Sequence, residues 1–483
     1  MGERLAPEKE DSLFVTQCNQ ESFEFHPLNQ RQVVGQFDGG AITSDAGGLL
    51  LREVEKRTGV IERFANCFHD YRKKEQVEHT VRELVGQRVY ALALGYEDLN
   101  DQEQLRQDPL LAILAEKADP TGESRVRERD RGKALAGKST LNRLELTKAE
   151  VGAKERYKKI VLDQGAVDRL LVEVFLEAHE EPPSEIILDL DATDDPVHGN
   201  QEGRFFHGYY GHYCYLPLYI FCGEFLLGAR LRPSNIDASA GCVEELARIV
   251  AQIRQAWPHV KITLRGDSGF CREELMTWCE QEGVDYVLGL AKNARLKAEI
   301  ASEQIQAAAE YVQTGRAARV FKELVYQTRE SWWRARRVVA KAEHLENGAN
   351  PRFVVTSLTV ETWPARALYE ELYCARGEME NRIKEQLRLF ADRTSTAFLR
   401  SNQNRLYFSS VAYLLMEALR RLGLKATDLA QAQVATIRLK LLKAGALIRI
   451  TVRKVWVSLA GGYPYAELWA RVYAALRALP LRC

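Results

Sequence analysis

The sequence lacks the features that mark several large protein classes. Its nine cysteines include no C-x-x-C pair, and an odd number in so long a chain argues against a disulfide framework and against structural zinc. No stretch approaches the roughly 18–20 continuous apolar residues that a membrane helix needs, and the charged start MGERLAPEKEDSLF has no apolar core. We therefore expect a soluble protein of a reducing cytoplasm, without a membrane partner.

A surplus of net charge is also lacking, because 67 basic residues balance 67 acidic residues. Apolar residues, in contrast, make up 46% of the 483 residues, enough to build several folded domains. The charge is unevenly distributed along the chain. Residues 401–483 contain 13 Lys or Arg and only 3 Asp or Glu, and this local excess favours a polyanionic partner.

The hydrophobic pattern divides the chain into seven regions. They are a polar tail (1–35), a helical domain (36–150), a connecting helix (151–184), the first part of an α/β core (185–292), a β-containing insertion (293–350), the second part of the core (351–395) and a basic helical C-terminal domain (396–483). The core is predicted from EIILDLDAT, a hairpin around Cys222-Gly223, the helix VEELARIVAQIRQAW, and the strands VKITLRG, VDYVLGLA and RFVVTSL. This order is typical of a mixed α/β sheet, followed after Pro364 by one long helix.

Acidic residues stand where two of these predicted strands end. Asp189 and Asp191 lie two apart and share one face of the first strand, and Asp267 follows VKITLRG in the same way. Glu380 lies within the long helix. Clustered carboxylates repel one another unless a cation neutralises them, and their hard oxygen atoms favour Mg²⁺ or Mn²⁺. Two such ions support in-line phosphoryl transfer, whereas a turn or helix-cap role is the alternative for each Asp alone.

Four runs carry a resemblance to a known family: LDLDATDDPVHG, GYYGHYCYLPLYIF, LRGDSGF and YCARGEMENRIKE. They resemble the insertion-sequence DDE transposases, specifically the bacterial family numbered thirteen-eighty, over about residues 35–425. The resemblance implies a ribonuclease-H-like catalytic fold, movement of an element with inverted-repeat ends, and short duplications at AT-rich tetranucleotide targets. It also implies that Asp191, Asp267 and Glu380 are catalytic and bind two Mg²⁺ or Mn²⁺ ions, with Asp189 as the alternative first acid.

A related signature, Tyr-x-x-Arg-x-x-x-Glu followed by a lysine, is matched by Tyr373, Arg376 and Glu380. The position expected to hold the lysine is Leu387, so binding of a terminal phosphate passes to another cation. Lys384, Arg388 or a residue elsewhere could take this role, and Lys384 is favoured because it lies one helical turn after Glu380. Tyr373 and Arg376 are also candidates for binding DNA, and Arg376, one turn before Glu380, could bind the phosphate next to the metals. An ion pair between Glu380 and either Arg376 or Lys384 is the structural alternative.

Basic residues make the helical domain over 36–150 the predicted reader of the element ends. We expect Lys73, Lys74, Arg125 and Lys138 to contact DNA phosphates, although neighbouring acids make a solvated helix face the alternative. GKALAGKS (132–139) matches the phosphate-loop pattern, but a charged segment precedes it instead of a buried strand. Nucleotide binding is therefore not expected.

The adjacent Trp332 and Trp333 in the insertion are candidates for stacking an unpaired base during strand processing. Neighbouring residues of a strand face opposite sides, so one of the two is expected to be core. The partners implied are the double-stranded element ends, target DNA and a second copy of the chain, since joining two ends to one target requires two active sites. A catalytically inactive DNA-binding relative and a nuclease without strand transfer are the alternatives.

Overall fold

The computed structural model describes residues 22–482, so most of the predicted polar tail lies outside the described residues. The strands are β1 (Phe23–Leu28), β2 (Arg31–Gly35), β3 (Ile42–Thr43), β4 (Phe68–Asp70), β5 (Ile160–Leu162), β6 (Glu185–Ala192), β7 (Asp195–Pro196), β8 (Phe205–His207), β9 (His212–Tyr215), β10 (Leu218–Cys222), β11 (Phe225–Arg230), β12 (Lys261–Gly266), β13 (Asp285–Leu290), β14 (Ala318–Tyr326), β15 (Arg336–Leu345), β16 (Gly348–Ala349), β17 (Arg352–Thr356), β18 (Ala446–Ile450) and β19 (Val455–Leu459).

The α-helices are α1 (Gly48–Thr58), α2 (Val60–Ala65), α3 (Val81–Leu94), α4 (Gln102–Leu105), α5 (Pro109–Leu114), α6 (Lys138–Glu145), α7 (Gln164–Glu177), α8 (Cys242–Ala256), α9 (Glu273–Glu282), α10 (Ala294–Glu299), α11 (Ala301–Thr314), α12 (Ala365–Ala367), α13 (Gly377–Arg388), α14 (Leu399–Leu419), α15 (Val434–Ile437) and α16 (Ala466–Arg477). Shorter 3₁₀ or π-helical segments are Lys74–Gln76, Glu128–Asp130, Leu368–Tyr373, Cys374–Arg376, Arg420–Leu424 and Arg438–Leu442. None of the helices within 22–482 is both long and apolar enough to cross a membrane.

One large mixed sheet runs in the order β11-β10-β6-β12-β13-β17-β15-β14, with the short β16 paired to β15. β6, β12 and β13 are parallel to one another, and the other neighbours are antiparallel. Nearly continuous apolar residues build the central strands because both faces are buried, chiefly beneath α8 and α9 on one side. The predicted strands and hairpin of the α/β core are therefore present, and the sheet is mixed.

The predicted insertion differs from the structure in one respect. Its strands β14 and β15 form a long hairpin, and β15 pairs with β17 through five residues. The segment over 293–350 thus extends the main sheet, with α10 and α11 packed beside it. Strand β17 follows β15 after only the short β16, so a short connection joins the predicted insertion to the core strand with which it pairs.

Three further predictions need correction. The C-terminal region over 396–483 is not wholly helical, because β18 and β19 form a hairpin that pairs with β3. The part of the predicted tail that is described forms the hairpin of β1 and β2. The single long helix after Pro364 is broken into a π-helical turn at Leu368–Tyr373 and a 3₁₀ turn at Cys374–Arg376 before α13 begins.

The helices from the two ends of the chain share one hydrophobic cluster. It includes α1 and α3 from the N-terminal half together with the long α14 and α16 from the C-terminal half. Almost every residue of α14 from Ser401 onward is buried, because neighbours surround this helix on all sides. The helices form a layer against the edge of the sheet where β11 contacts α14 and α7.

Candidate active site

Strand register brings the first two predicted acids together. In the parallel pair of β6 and β12, Gly266 lies opposite Leu190, so Asp191 and Asp267, the next residues, are neighbours at the same edge of the sheet. Backbone amides hold both side chains: Ala192 donates to Asp191 Oδ1 at 2.9 Å, and Gly269 donates to Asp267 Oδ1 at 2.8 Å. The two carboxylates are therefore fixed by the sheet and by the turn after each strand.

Helix α13 supplies the third acid, and Arg376 lies between it and the first. The guanidinium of Arg376 lies 3.4 Å from Asp191 Oδ2 and 3.6 Å from Glu380 Oε1. The Glu380 side chain is 52% exposed, whereas that of Asp191 is only 16% exposed. The ion pair expected as the structural alternative is thus present, and it connects Glu380 to the strand-end acids.

The pKa of Asp191 differs from that of an ordinary aspartate. Burial raises the pKa of Asp191 to about 6, and the negative charges of Asp267 and Glu380 act in the same direction. The positive charge of Arg376 opposes the rise. A carboxyl group with this environment gains from a nearby cation, because added positive charge stabilises its ionised form.

Asp189, the alternative first acid, is engaged elsewhere. Its carboxylate accepts two hydrogen bonds from Arg265, at 2.5 and 2.8 Å, and both side chains are buried. Arg265 also donates to the carbonyl oxygen of Leu372 at 2.5 Å, within the π-helical turn. The pair therefore connects β6 and β12 to the segment that leads into α13, which positions Arg376 and Glu380.

Two glycines allow close packing around Asp267. A Cβ atom at Gly269 would lie 3.0 Å from Asp267 Oδ1. A Cβ atom at Gly289 would lie 2.6 Å from the hydroxyl oxygen of Tyr373 and 2.9 Å from the backbone nitrogen of Ser268. Tyr373 and the turn after Asp267 thus pack directly on the backbone of β13, where any larger residue would push them away.

The three acids line one cavity of about 630 Å³. Arg376, Lys384 and Leu387 line it as well, so Lys384 stands in the cavity where the signature lysine is missing. Arg388 is exposed and is absent from the lining. In the arrangement of side chains over 22–482, no three His, Cys, Asp or Glu groups are close enough to enclose a metal ion. Arg376 occupies the space between two of the acids instead.

The cavity has an aromatic rim that the sequence did not single out. His207, the last residue of β8, lines it beside the acids, as do Tyr209 and Tyr210 from the turn between β8 and β9. Tyr209 is 87% exposed, and Tyr210 donates to the carbonyl oxygen of Ala192 at 3.5 Å. The run GYYGHYCY contains these residues, but only the pairing of β9 with β7 and β8 brings them to the end of β6.

The basic residues predicted to contact DNA have different surroundings. Lys73, Lys74 and Lys138 are exposed. Arg125 is buried, with its guanidinium 2.7 Å from a Glu78 carboxylate oxygen and 2.8 Å from a ring nitrogen of His79. Arg125 therefore holds its own loop in place, and its contacts leave little of it for a DNA phosphate.

The two adjacent tryptophans face opposite ways. Trp332 is 5% exposed and packs in the core against Tyr326, whereas Trp333 is 64% exposed and donates to the hydroxyl of Thr277 at 3.2 Å. Neither lines the cavity of the three acids. The aromatic residues that line this cavity and are not buried are instead His207, Tyr209 and Tyr210.

No curated protein sequence matches the chain. Among solved structures it is similar to the cryo-EM structure of a piggyBac transposase synaptic complex with hairpin DNA, with 11% sequence identity, a TM-score of 0.38, and coverage of 83% of this chain and 80% of that chain. The family model of the transposase DDE domain, group 1, matches residues 25–481. Because this match covers nearly the entire sequence, the chain belongs to the transposase DDE domain family, group 1.

Proposed function

We propose that the protein is a DNA transposase that uses divalent metal ions to cleave the inverted-repeat ends of an insertion sequence and join the 3′-OH ends to target DNA. The observation that carries the proposal is the convergence of Asp191, Asp267 and Glu380 on one cavity, with the two aspartates neighbours by strand register. Family membership supports the reaction class. The order and directions of β11-β10-β6-β12-β13 support a ribonuclease-H-like core.

The three carboxylates fit Mg²⁺ or Mn²⁺ in donor type, because they supply hard oxygen ligands and Asp191 gains from added positive charge. In this structure Arg376 lies between Asp191 and Glu380, so within residues 22–482 the three acids do not enclose an ion site. When bound, two such ions supply stabilisation of the attacking and leaving oxygen atoms of a phosphoryl transfer. Asp191, Asp267 and Glu380 would hold them. Asp189 is assigned a positioning role, because both of its oxygen atoms are already bound by Arg265.

The cations of the cavity are assigned to the DNA strand. Arg376 neutralises Asp191 and Glu380, and its planar guanidinium would also bind a phosphate of the strand in this cavity. Lys384, one turn after Glu380, is assigned the phosphate contact of the missing lysine. Joining two element ends requires a homodimer, and the resemblance to family thirteen-eighty extends the proposal to AT-rich tetranucleotide targets.

Strand-transfer assays test the proposal. The purified protein is incubated with Mg²⁺, labelled duplexes that carry the inverted repeats flanking its coding sequence, and a target plasmid. Asp191→Asn, Asp267→Asn and Glu380→Gln are expected to lower cleavage and joining by about 10³-fold or more, the scale of losing a catalytic group. Glu378→Gln, an exposed change on the same helix, is the matched control.

The outcomes separate the alternatives. Cleavage without joining by the wild type makes the protein a nuclease, and DNA binding without cleavage makes it an inactive relative. Undiminished cleavage and joining by the three acid variants would show that the active site lies elsewhere. Asp189→Asn is expected to lower the melting temperature as well as the rate, since it breaks a buried ion pair, whereas Asp191→Asn lowers the rate alone.

A further inference from the structure

A second cavity, of about 420 Å³, adjoins the cavity of the three acids. The two share Asp267, Ser268 and Arg376 as a common wall. The second cavity also contains two basic residues that the proposed reaction does not yet use, Lys292 and Arg352. Their position follows from the order of the strands in the sheet.

Strand register places both cations at the edge that carries the acids. In the antiparallel pair of β13 and β17, Leu290 lies opposite Phe353. Lys292 follows the end of β13 and Arg352 begins β17, so the two stand at the same edge. Because β13 is parallel to β12, this edge is also the one where Asp267 lies. The main sheet thus presents its acids and these two cations side by side.

Neither cation is engaged by an acid. Lys292 and Arg352 are exposed, and neither forms a salt bridge within residues 22–482. Other arginines of this sheet, such as Arg265 and Arg336, are bound by carboxylates. Two unpaired cations held at a cavity leave its positive charge available to an anionic ligand.

The walls of the cavity suit a nucleotide. Tyr369, Tyr373 and Phe353 line it, and the ring centroids of the two tyrosines are 5.6 Å apart. Tyr369 and Phe353 are buried, at 7% and 3% exposure, so the half-buried Tyr373 supplies most of the open ring surface beside the cations. Lys and Arg bind phosphate oxygens, and aromatic side chains contact sugar and base. A strand whose reacting phosphate lies at the three acids enters this cavity by passing the shared wall formed by Ser268 and Arg376.

We propose that Lys292 and Arg352 bind the DNA backbone at the phosphates next to the reacting one, in this second cavity. The inference rests on the proposed function, since it assumes that DNA reacts at the three acids. It gives the site two contiguous parts: carboxylates for the reacting phosphate and a basic part that holds the strand in line.

Binding measurements without divalent metal test this assignment. Fluorescence anisotropy with a labelled element-end duplex gives the dissociation constant as a function of salt for the wild type and for Lys292→Gln/Arg352→Gln. Loss of two phosphate contacts is expected to reduce the slope of log K against log salt by about 2. The matched control is Lys261→Gln/Arg316→Gln, two exposed basic residues that line neither cavity, and this variant is expected to keep the wild-type slope. Melting temperatures verify that all variants are folded.

Neutral methylphosphonate linkages locate the contact. Placed one at a time along the strand, they are expected to weaken wild-type binding next to the reacting phosphate and to leave the double variant unaffected there. Equal sensitivity of both proteins at every linkage would overturn the inference, as would a wild type that does not bind the duplex. A wild type that cleaves and joins DNA but has the same linkage sensitivity as the double variant would overturn the role of the second cavity alone. A wild type that has the local linkage sensitivity but does not cleave DNA would overturn the transposase proposal alone.

Discussion

Asp195 is a buried carboxyl group close in sequence to Asp191, and its pKa is raised. It lies in β7, four residues after Asp191, and is 2% exposed. Thr394 donates to its Oδ2 at 2.9 Å, and Oδ1 has no hydrogen-bond partner within the described chain. Burial raises the pKa of Asp195 from 3.8 to about 8, with the nearby Asp392 and Asp194 acting in the same direction. The folded protein therefore holds this carboxyl protonated at neutral pH.

The first prediction follows from the sign of that shift. Between pH 4 and 8 the folded state binds more protons at Asp195 than the unfolded state, so its contribution to stability is lost as pH rises through this window. Asp195→Asn removes the titration. The difference in free energy of unfolding between variant and wild type is expected to shift in favour of the variant from pH 5 to pH 8 and then stay constant, as measured by urea unfolding. A difference independent of pH would contradict the raised pKa.

Gly289 gives a second prediction at the residue scale. Gly289→Ala forces a methyl group against Tyr373 and the backbone of Ser268. We expect a loss of about 1–3 kcal/mol of stability, typical of overpacking, and a fall in DNA cleavage because the turn that carries Asp267 moves. The control is Gly377→Ala, where a methyl group meets no atom within 4 Å. Cleavage at the wild-type rate by Gly289→Ala would show that the turn tolerates the displacement.

The sequence was enough to identify the candidate acids of the site, but not to decide which role each acid has. The hydrophobic periodicity and the predicted strand ends point to Asp189, Asp191 and Asp267, because a charged side chain at a buried strand is unusual unless it has a functional or structural role. The choice between Asp189 and Asp191 depends on Arg265, which is 76 positions away from Asp189 and becomes its partner only through the pairing of β6 with β12. The spacing of residues in the sequence does not predict this contact between Asp189 and Arg265.

At the scale of elements, the buried strands were easier to predict than their partners. Continuous apolar runs identify β6, β12 and β13 because both faces are covered. Strand β18 pairs with β3 from the opposite end of the described chain, with Ala446 opposite Thr43. Strand β15 pairs with β17 across the boundary at residue 350 that the sequence pattern placed between the insertion and the core. The break of the helix before α13 is likewise set by tertiary contacts, in particular the hydrogen bond from Arg265 to Leu372.

A buried ion-pair network connects three helices and supports the third prediction. Glu145, at the end of α6, is fully buried and accepts hydrogen bonds from Arg88 of α3 at 3.0 Å and from Arg405 of α14 at 2.8 Å. Glu145→Ala leaves two guanidinium groups without their carboxylate, and we expect a loss of about 3–5 kcal/mol. The change is measured by denaturant unfolding against Glu150→Ala, an exposed acid nearby. Equal stability of the two variants would show that water replaces the carboxylate.

At the scale of the whole molecule, the basic C-terminal region serves two purposes. Arg405, Arg420 and Lys443 are bound by Glu145, Glu385 and Asp45 inside the protein. Exposed cations remain at Lys425, Arg449, Arg453, Lys454, Arg471 and Arg477. The charge excess counted in the sequence is therefore partly structural, and only the exposed subset is available to a polyanion.

The two ends of the chain depend on each other, since α16 packs against α1. Leu476 is fully buried, and its carbonyl oxygen accepts a hydrogen bond from Arg57, whereas Tyr473 on the same helix is 42% exposed. Farther on, the backbone nitrogen of Arg482 donates to the carbonyl oxygen of Lys56 at 3.1 Å. The helical layer thus joins residues more than 400 positions apart.

The fourth prediction uses this dependence. Leu476→Ala is expected to lower the free energy of unfolding by about 2–5 kcal/mol, the usual effect of a cavity in a packed core. Because α1 loses its partner, hydrogen exchange measured by mass spectrometry should accelerate across α1 as well as α16. Tyr473→Ala, matched in helix and in loss of a large side chain, should leave exchange in α1 unchanged. Faster exchange confined to α16 would mean that the two ends of the chain unfold independently.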